Sequence, residues 1–76
     1  MVYISGYREY QCRDYTRWLG LKPTEWRYVW NSMNLRGVRK CLFIELEGMY
    51  SRDRLEYWAI KDMVKVGEFI HVKVEW

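Results

Sequence analysis

The sequence predicts a small three-layer α/β domain, β-α-β-β-α-β, built around a mostly parallel four-stranded sheet. Three observations predict it. Two stretches with helical periodicity, Arg8–Leu19 and the run after Ser51, alternate with four β-prone runs. The third of those runs opens Cys41-Leu42-Phe43-Ile44, apolar at every position, as in a strand covered on both faces. The connection Asn31–Lys40 is ten residues long, against roughly two to five for a usual hairpin loop.

Val2–Ser5 is the first β-prone run, and Gly6 stops it. In Arg8–Leu19, the residues Cys12, Tyr15 and Leu19 recur at helical spacing, with Trp18 beside them. Gly20 stands where a left-handed residue closes a helix, and Pro23 follows shortly after. Thr24–Trp30 reads as the second strand. Trp26, Tyr28 and Trp30 alternate there with Arg27 and Val29, which makes one face heavily aromatic. A short helical turn is expected around Ser32–Leu35, and then the basic loop Leu35-Arg36-Gly37-Val38-Arg39-Lys40. Cys41–Glu47 is the third strand, turning polar at Glu45-Leu46-Glu47. Ser51 reads as the cap of the second helix, with Asp53 in its first turn. Leu55, Trp58, Ala59, Met63 and Val66 form its apolar stripe, and Gly67 ends it. In the last strand, Glu68–Trp76, the residues Ile70, Val72, Val74 and Trp76 face one way. Phe69, His71, Lys73 and Glu75 face the other.

Strands one and three are the more apolar and are expected at the centre, with the half-polar strands two and four at the edges. A Rossmann-like parallel sheet then has the order 2-1-3-4 or 2-3-1-4, with right-handed crossovers placing helices on its faces. The alternative is a ferredoxin-like α+β domain of order 4-1-3-2, in which strands two and three form a hairpin. The long Asn31–Lys40 connection favours the parallel sheet. Such a sheet places its functional crevice at the strand carboxyl ends. Here these are Ser5-Gly6-Tyr7, Asn31-Ser32 and Glu47-Gly48-Met49.

A chain of 76 residues implies one domain, residues 1–76. So short a chain buries only about 60% of its unfolded surface. Five Trp, seven Tyr and two Phe are more rings than such a core holds. Some are therefore expected at the surface, where aromatic side chains favour partner contacts. The net charge of +3 is below that of a dedicated duplex-DNA binder. Met1–Gly6 carries no basic, apolar leader pattern, so Cys12 and Cys41 are expected as reduced thiols of a cytoplasmic chain. No run approaches the ~18 apolar residues of a membrane span, and no membrane association is expected.

The motif search removes several chemistries from the expectation. A phosphate loop needs two glycines and Lys-Ser/Thr, so that backbone N–H groups and an ammonium hold the phosphates. Gly6-Tyr7-Arg8-Glu9 offers one glycine among bulky neighbours. One His and two distant Cys give no metal-ligand spacing. His71 reads as a solvated edge residue. Glu45 and Glu47 share a strand face and read as a solvated strand end, with a cation or a pairing to Arg36, Arg39 or Lys40 as the sharper option. No catalytic residue, cofactor or metal is expected, and the chain is expected not to be an enzyme.

The segment Ser32-x-x-Leu35-Arg36-Gly37-x-Arg39, leading into the apolar strand, resembles the Walker B half of terminase- and helicase-type P-loop ATPases of tailed bacteriophages. In those proteins a Leu-Arg-Gly turn precedes the strand that ends in the acidic pair. The likeness covers residues 26–48. The Walker A lysine loop is missing, and Leu42–Glu47 lacks an adjacent Asp-Glu, so the resemblance implies no ATPase activity. The whole chain is similar to small tailed-phage α/β proteins of unassigned function. That likeness implies an accessory protein acting in the host cytoplasm on a host macromolecule, first of all a host protein, in host takeover or inhibition. The expected contact residues are Trp26, Tyr28 and Trp30 of the edge strand, with Arg36, Arg39 and Lys40. The alternative is a single-stranded nucleic-acid module. Tyr3 and Phe43 would then share an open sheet face, and Arg36, Arg39, Lys40, Arg52 and Arg54 would meet phosphates. A homodimer through an edge strand is a further expectation.

Overall fold

The computed structural model describes residues Met1–Trp76. Its strands are β1 (Val2–Ser5), β2 (Trp26–Tyr28), β3 (Leu42–Leu46) and β4 (Ile70–Val74), and its helices α1 (Glu9–Leu19) and α2 (Arg54–Val66). Two 3₁₀ turns, Ser32–Leu35 and Met49–Ser51, complete the order. The sheet runs β2-β1-β3-β4, and every neighbouring pair is parallel. This is the Rossmann-like arrangement, in the first of the two expected orders. The ferredoxin-like alternative falls, because β1 separates β2 from β3.

A polar cap turns the chain away from a hairpin after β2. The Asn34 side chain accepts the N–H groups of Trp30 (2.8 Å) and Asn31 (3.0 Å), while the Asn31 side chain accepts that of Met33 (2.9 Å). This reciprocal cap starts the Ser32–Leu35 turn and sends the chain across the sheet. At α1, Gly20 closes the helix at φ 80°, as expected, and its N–H returns to Arg17 and Thr16. At α2, the cap is Asp53 rather than Ser51. The Asp53 carboxylate accepts the N–H of Glu56 at 3.1 Å, and Ser51 closes the preceding 3₁₀ turn.

The core lies on both faces. On one, Ile4, Ile44 and Leu46 pack against Cys12 and Tyr15 of α1. On the other, Phe43 packs with Ile60 and Val64 of α2 and with Val29, Leu35 and Met49. Phe43 and Ile44 thus point to opposite covered faces, which is why β3 is apolar at successive positions.

The expected stripe of α2 is corrected. Leu55 is 84% exposed, and Trp58 and Val66 also face outward. Ile60 and Val64 are buried, with Tyr57 and Met63 packed against the same core. Residues 57, 60, 61 and 64 form a second stripe at helical spacing, and this is the one the sheet receives.

Burial holds the Cys12 thiol in its neutral form, pushing it from 9.0 up to about 12, with the Arg52 guanidinium acting in the opposite sense. Burial raises the Tyr28 hydroxyl as well. Both groups ionise earlier in the unfolded chain. The Cys12 contribution is complete below about pH 9 and is lost as the pH rises towards 12, and Tyr28 acts in the same sense. The urea midpoint is therefore expected to fall steadily above pH 9. At pH 8 a chromogenic thiol reagent should count one reactive thiol in the folded chain, the half-buried Cys41, and two in denaturant. Two fast-reacting thiols in the folded chain would contradict the packing of Cys12.

Candidate functional site

In a sheet of this order the crevice lies between the carboxyl ends of β1 and β3, where the chain changes direction. The chain's own side chains span it. Gln11 donates its amide N–H to the carbonyl of Glu47 at 2.8 Å, and its Oε1 accepts the N–H of Tyr7 at 2.8 Å. Gly48, at φ 91°, lies so close that an added Cβ would sit 3.0 Å from the Cβ of Tyr7. The loops after β1 and β3 therefore meet across the crevice.

Arg52 ties the neighbouring ends together. Its guanidinium donates to Ser5 Oγ at 2.8 Å, to the carbonyls of Gly6 and Val29 at 3.3 Å each, and to the carbonyl of Trp30. Ser5 Oγ–H donates in turn to the Val29 carbonyl at 2.6 Å. Strand ends leave carbonyl acceptors without sheet partners, and a guanidinium supplies several donors in one plane. Arg52 is thus turned inward onto β1 and β2, which corrects its expected place beside Arg54 in a phosphate-facing set.

Glu45 is also misplaced by the sequence. It is only 2% exposed and lies beneath α2. Its Oε1 accepts from Lys61 Nζ at 3.0 Å and lies 2.9 Å from His71 Nε2, while Tyr57 OH stands 3.4 Å from Oε2. Neither Arg36, Arg39 nor Lys40 reaches it, and Glu47 stands exposed beyond the end of β3. His71 stands on the exposed edge strand β4, as expected, but its side chain is held on Glu45 rather than left free in solvent, with its ring 5.5 Å from that of Phe43. A buried carboxylate needs paired charge. Lys61 supplies the charge from α2, and Tyr57, one turn earlier, adds a hydroxyl donor. That requirement turns Leu55, Trp58 and Val66 to the outside.

The expected contact residues do not form one surface. Trp26 and Tyr28 lie half-buried on β2, packed against the α1-side core, and Trp30 is exposed just beyond. Arg36, Arg39 and Lys40 lie in the loop entering β3. Arg39 pairs with Glu68 at 3.1 Å, and the Lys40 N–H donates to the Gly67 carbonyl at 2.8 Å. The basic loop therefore packs beside the start of β4, at the sheet edge opposite β2. Tyr3 and Phe43 offer no open stacking face either. Phe43 is fully buried, and Tyr3 packs on the same core with its ring edge-on to Phe69.

The structure assembles a different set. The rings of Tyr15, Trp18 and Trp76 meet in a triad, with centroids 6.2, 5.2 and 5.3 Å apart. Ile70 and Val72 continue this surface along β4, because the register sets them beside Leu42 and Ile44 on the α1 face. Ile70 is 66% exposed. The cause is unequal cover: α2 and the Ser32–Leu35 turn cover one face, and α1 alone covers the other. Four of the five tryptophans (Trp18, Trp30, Trp58 and Trp76) are at least 40% exposed. Sequence reasoning missed the strip because the Ile70–Trp76 alternation identifies an apolar face and is silent on whether anything lies over it. No helix is long and apolar enough to cross a membrane. No protein-family model matches the chain, and no curated protein or solved structure matches it.

Proposed function

We propose that this chain is a non-enzymatic module that binds another protein through the strip formed by Trp18, Trp76, Val72 and Ile70. The observation that carries the reading is the exposure of the Trp18–Trp76 pair next to an uncovered apolar row. Tryptophan is the residue most enriched at binding hot spots, and charged residues are depleted at interface cores. The strip has that composition. The spanning of the strand-end crevice by Gln11 and Arg52 supports a non-catalytic role, since the usual ligand position of this fold is taken by the chain itself. The likeness of the sequence to small tailed-phage proteins supports a protein of the bacterial host as the partner.

The test is affinity capture from host lysate, followed by titration of the captured protein. Trp18→Ala and Trp76→Ala are each expected to weaken binding by roughly 30-fold, the equivalent of a hot-spot loss of about 2 kcal/mol. Trp30→Ala, on the far edge, is expected to bind as the parent does. Equal affinity in all three variants would remove this surface from consideration.

A further inference from the structure

We propose that two copies of the chain pair antiparallel along β4, about a two-fold axis through Val72, so that one sheet runs through both. Four observations converge on this arrangement.

The first is the open edge itself. β4 ends the sheet with five residues, whereas the opposite edge, β2, has three. A long uncovered edge is a template for strand pairing. The second is the direction of its backbone groups. The N–H of Ile70 donates to the Cys41 carbonyl at 2.9 Å. Strand alternation then turns the N–H and C=O of His71 and Lys73 towards the open edge. With Val72 on the axis, His71 of one copy stands opposite Lys73 of the second. Each such pair exchanges both of its backbone hydrogen bonds.

The third is the side-chain row on the α1 face. In this register Val72 meets Val72, and Ile70 meets Val74 of the second copy. The exposed apolar row therefore meets its own copy side by side, as a self-complementary two-fold interface requires. On the other face Lys73 meets the second copy's His71, whose Nε2 is already engaged by Glu45 at 2.9 Å. The fourth is charge. Lys40 and Lys65 flank the start of β4, bonded through their backbones to Gly67 and Glu68. Glu47 and Glu75 flank its end, in one cleft with Lys73. All four side chains are exposed and free of ion pairs. Antiparallel pairing sets the basic end of each strand against the acidic end of the other. A parallel neighbour would set like against like.

One consequence is geometric. The two-fold axis stands normal to the sheet, so the strips of both copies lie on one face, between α1 and its symmetry mate. The dimer does not depend on the host-protein reading, and its test involves no host component.

Sedimentation equilibrium of the purified chain, from about 1 to 200 μM, reads the outcome. The expected mass is twice 9.5 kDa at the upper end. Val72→Lys sets two lysines directly opposite each other at the axis, with their Cβ atoms about 5 Å apart, and is expected to weaken the dimer at least ten-fold. Lys73→Pro removes an outward N–H that the chain's own sheet does not use, and is expected to do the same. Circular dichroism verifies that the variants fold, which the exposure of both positions favours. A mass of 9.5 kDa across the whole range would overturn the proposal. So would a dimer that both folded variants leave unweakened.

Discussion

Replacing Glu45 by Ala is expected to lower the stability of the chain by about 3 kcal/mol, at the lower end of what removing one member of a buried ion pair costs. The carboxylate is 2% exposed and holds Lys61 and His71 on one oxygen. Without it, an ammonium and an imidazole lose their shared acceptor beneath α2. The side chains of Lys61 and His71 are 23% and 25% exposed, so water recovers part of the loss, which places the estimate low in the range. Urea unfolding at neutral pH gives the measurement. A second variant separates charge from packing. Glu45→Leu combined with Lys61→Met replaces the pair by apolar groups of similar size, and such replacements are often neutral or stabilising. The pair is expected to recover most of the single-variant loss, as a non-additive cycle. A loss below about 0.5 kcal/mol for Glu45→Ala would mean that the cluster does not hold α2 in place.

Arg52→Ala is expected to cost about 2–3 kcal/mol. Hydrogen bonds to a charged group contribute roughly 1.5–3 kcal/mol each, but the four contacts of Arg52 share one guanidinium and do not add. The partly exposed position also lets water reach the freed carbonyls. β2 is the most sensitive element, having three residues and a single neighbour. Faster amide exchange in Trp26–Val29 should accompany the loss. Arg52→Lys is expected to restore less than half of it. An ammonium is a compact donor and cannot reach the ends of β1 and β2 together as a planar fork does. Full stability in Arg52→Lys would show that charge alone, rather than the fork, ties the strand ends.

These two residues also mark where sequence reasoning stops. Its successes rest on local physics. Gly20 was readable as a helix terminator because only a left-handed residue fits there, and it has φ 80°. The parallel sheet was readable from a ten-residue connection and from a third strand apolar at successive positions. The Ser32–Leu35 turn was expected within the same long connection, and it is there. The failures share another cause. Arg52 looks like a solvated charge at a helix start, and its partner Ser5 lies 47 positions away. Glu45 looks like a strand end, and Lys61 lies 16 positions away, His71 26. No window of sequence contains both members of either arrangement.

The helix α2 shows the same division within a single element. Its sequence carries two overlapping stripes, Leu55-Trp58-Ala59-Met63-Val66 and Tyr57-Ile60-Lys61-Val64. Hydropathy favours the first, because the second contains a lysine. The structure takes the second, because Glu45 lies beneath the helix and needs that lysine. The outward tryptophan and the uncovered β4 row follow from tertiary arrangement in the same way. Periodicity defines the faces of a strand or helix, and only the assembled sheet determines which of them finds a cover.

By itself, then, the sequence determined the class of sheet, the position of its elements and the surplus of aromatic rings over what a core this small holds. The tertiary structure decided which rings meet, which edge stays open and which charges turn inward. The reason is physical. Backbone propensity and apolar periodicity act over a few residues, while the pairing of a buried charge and the covering of a sheet face are settled between segments that meet only when the chain has folded.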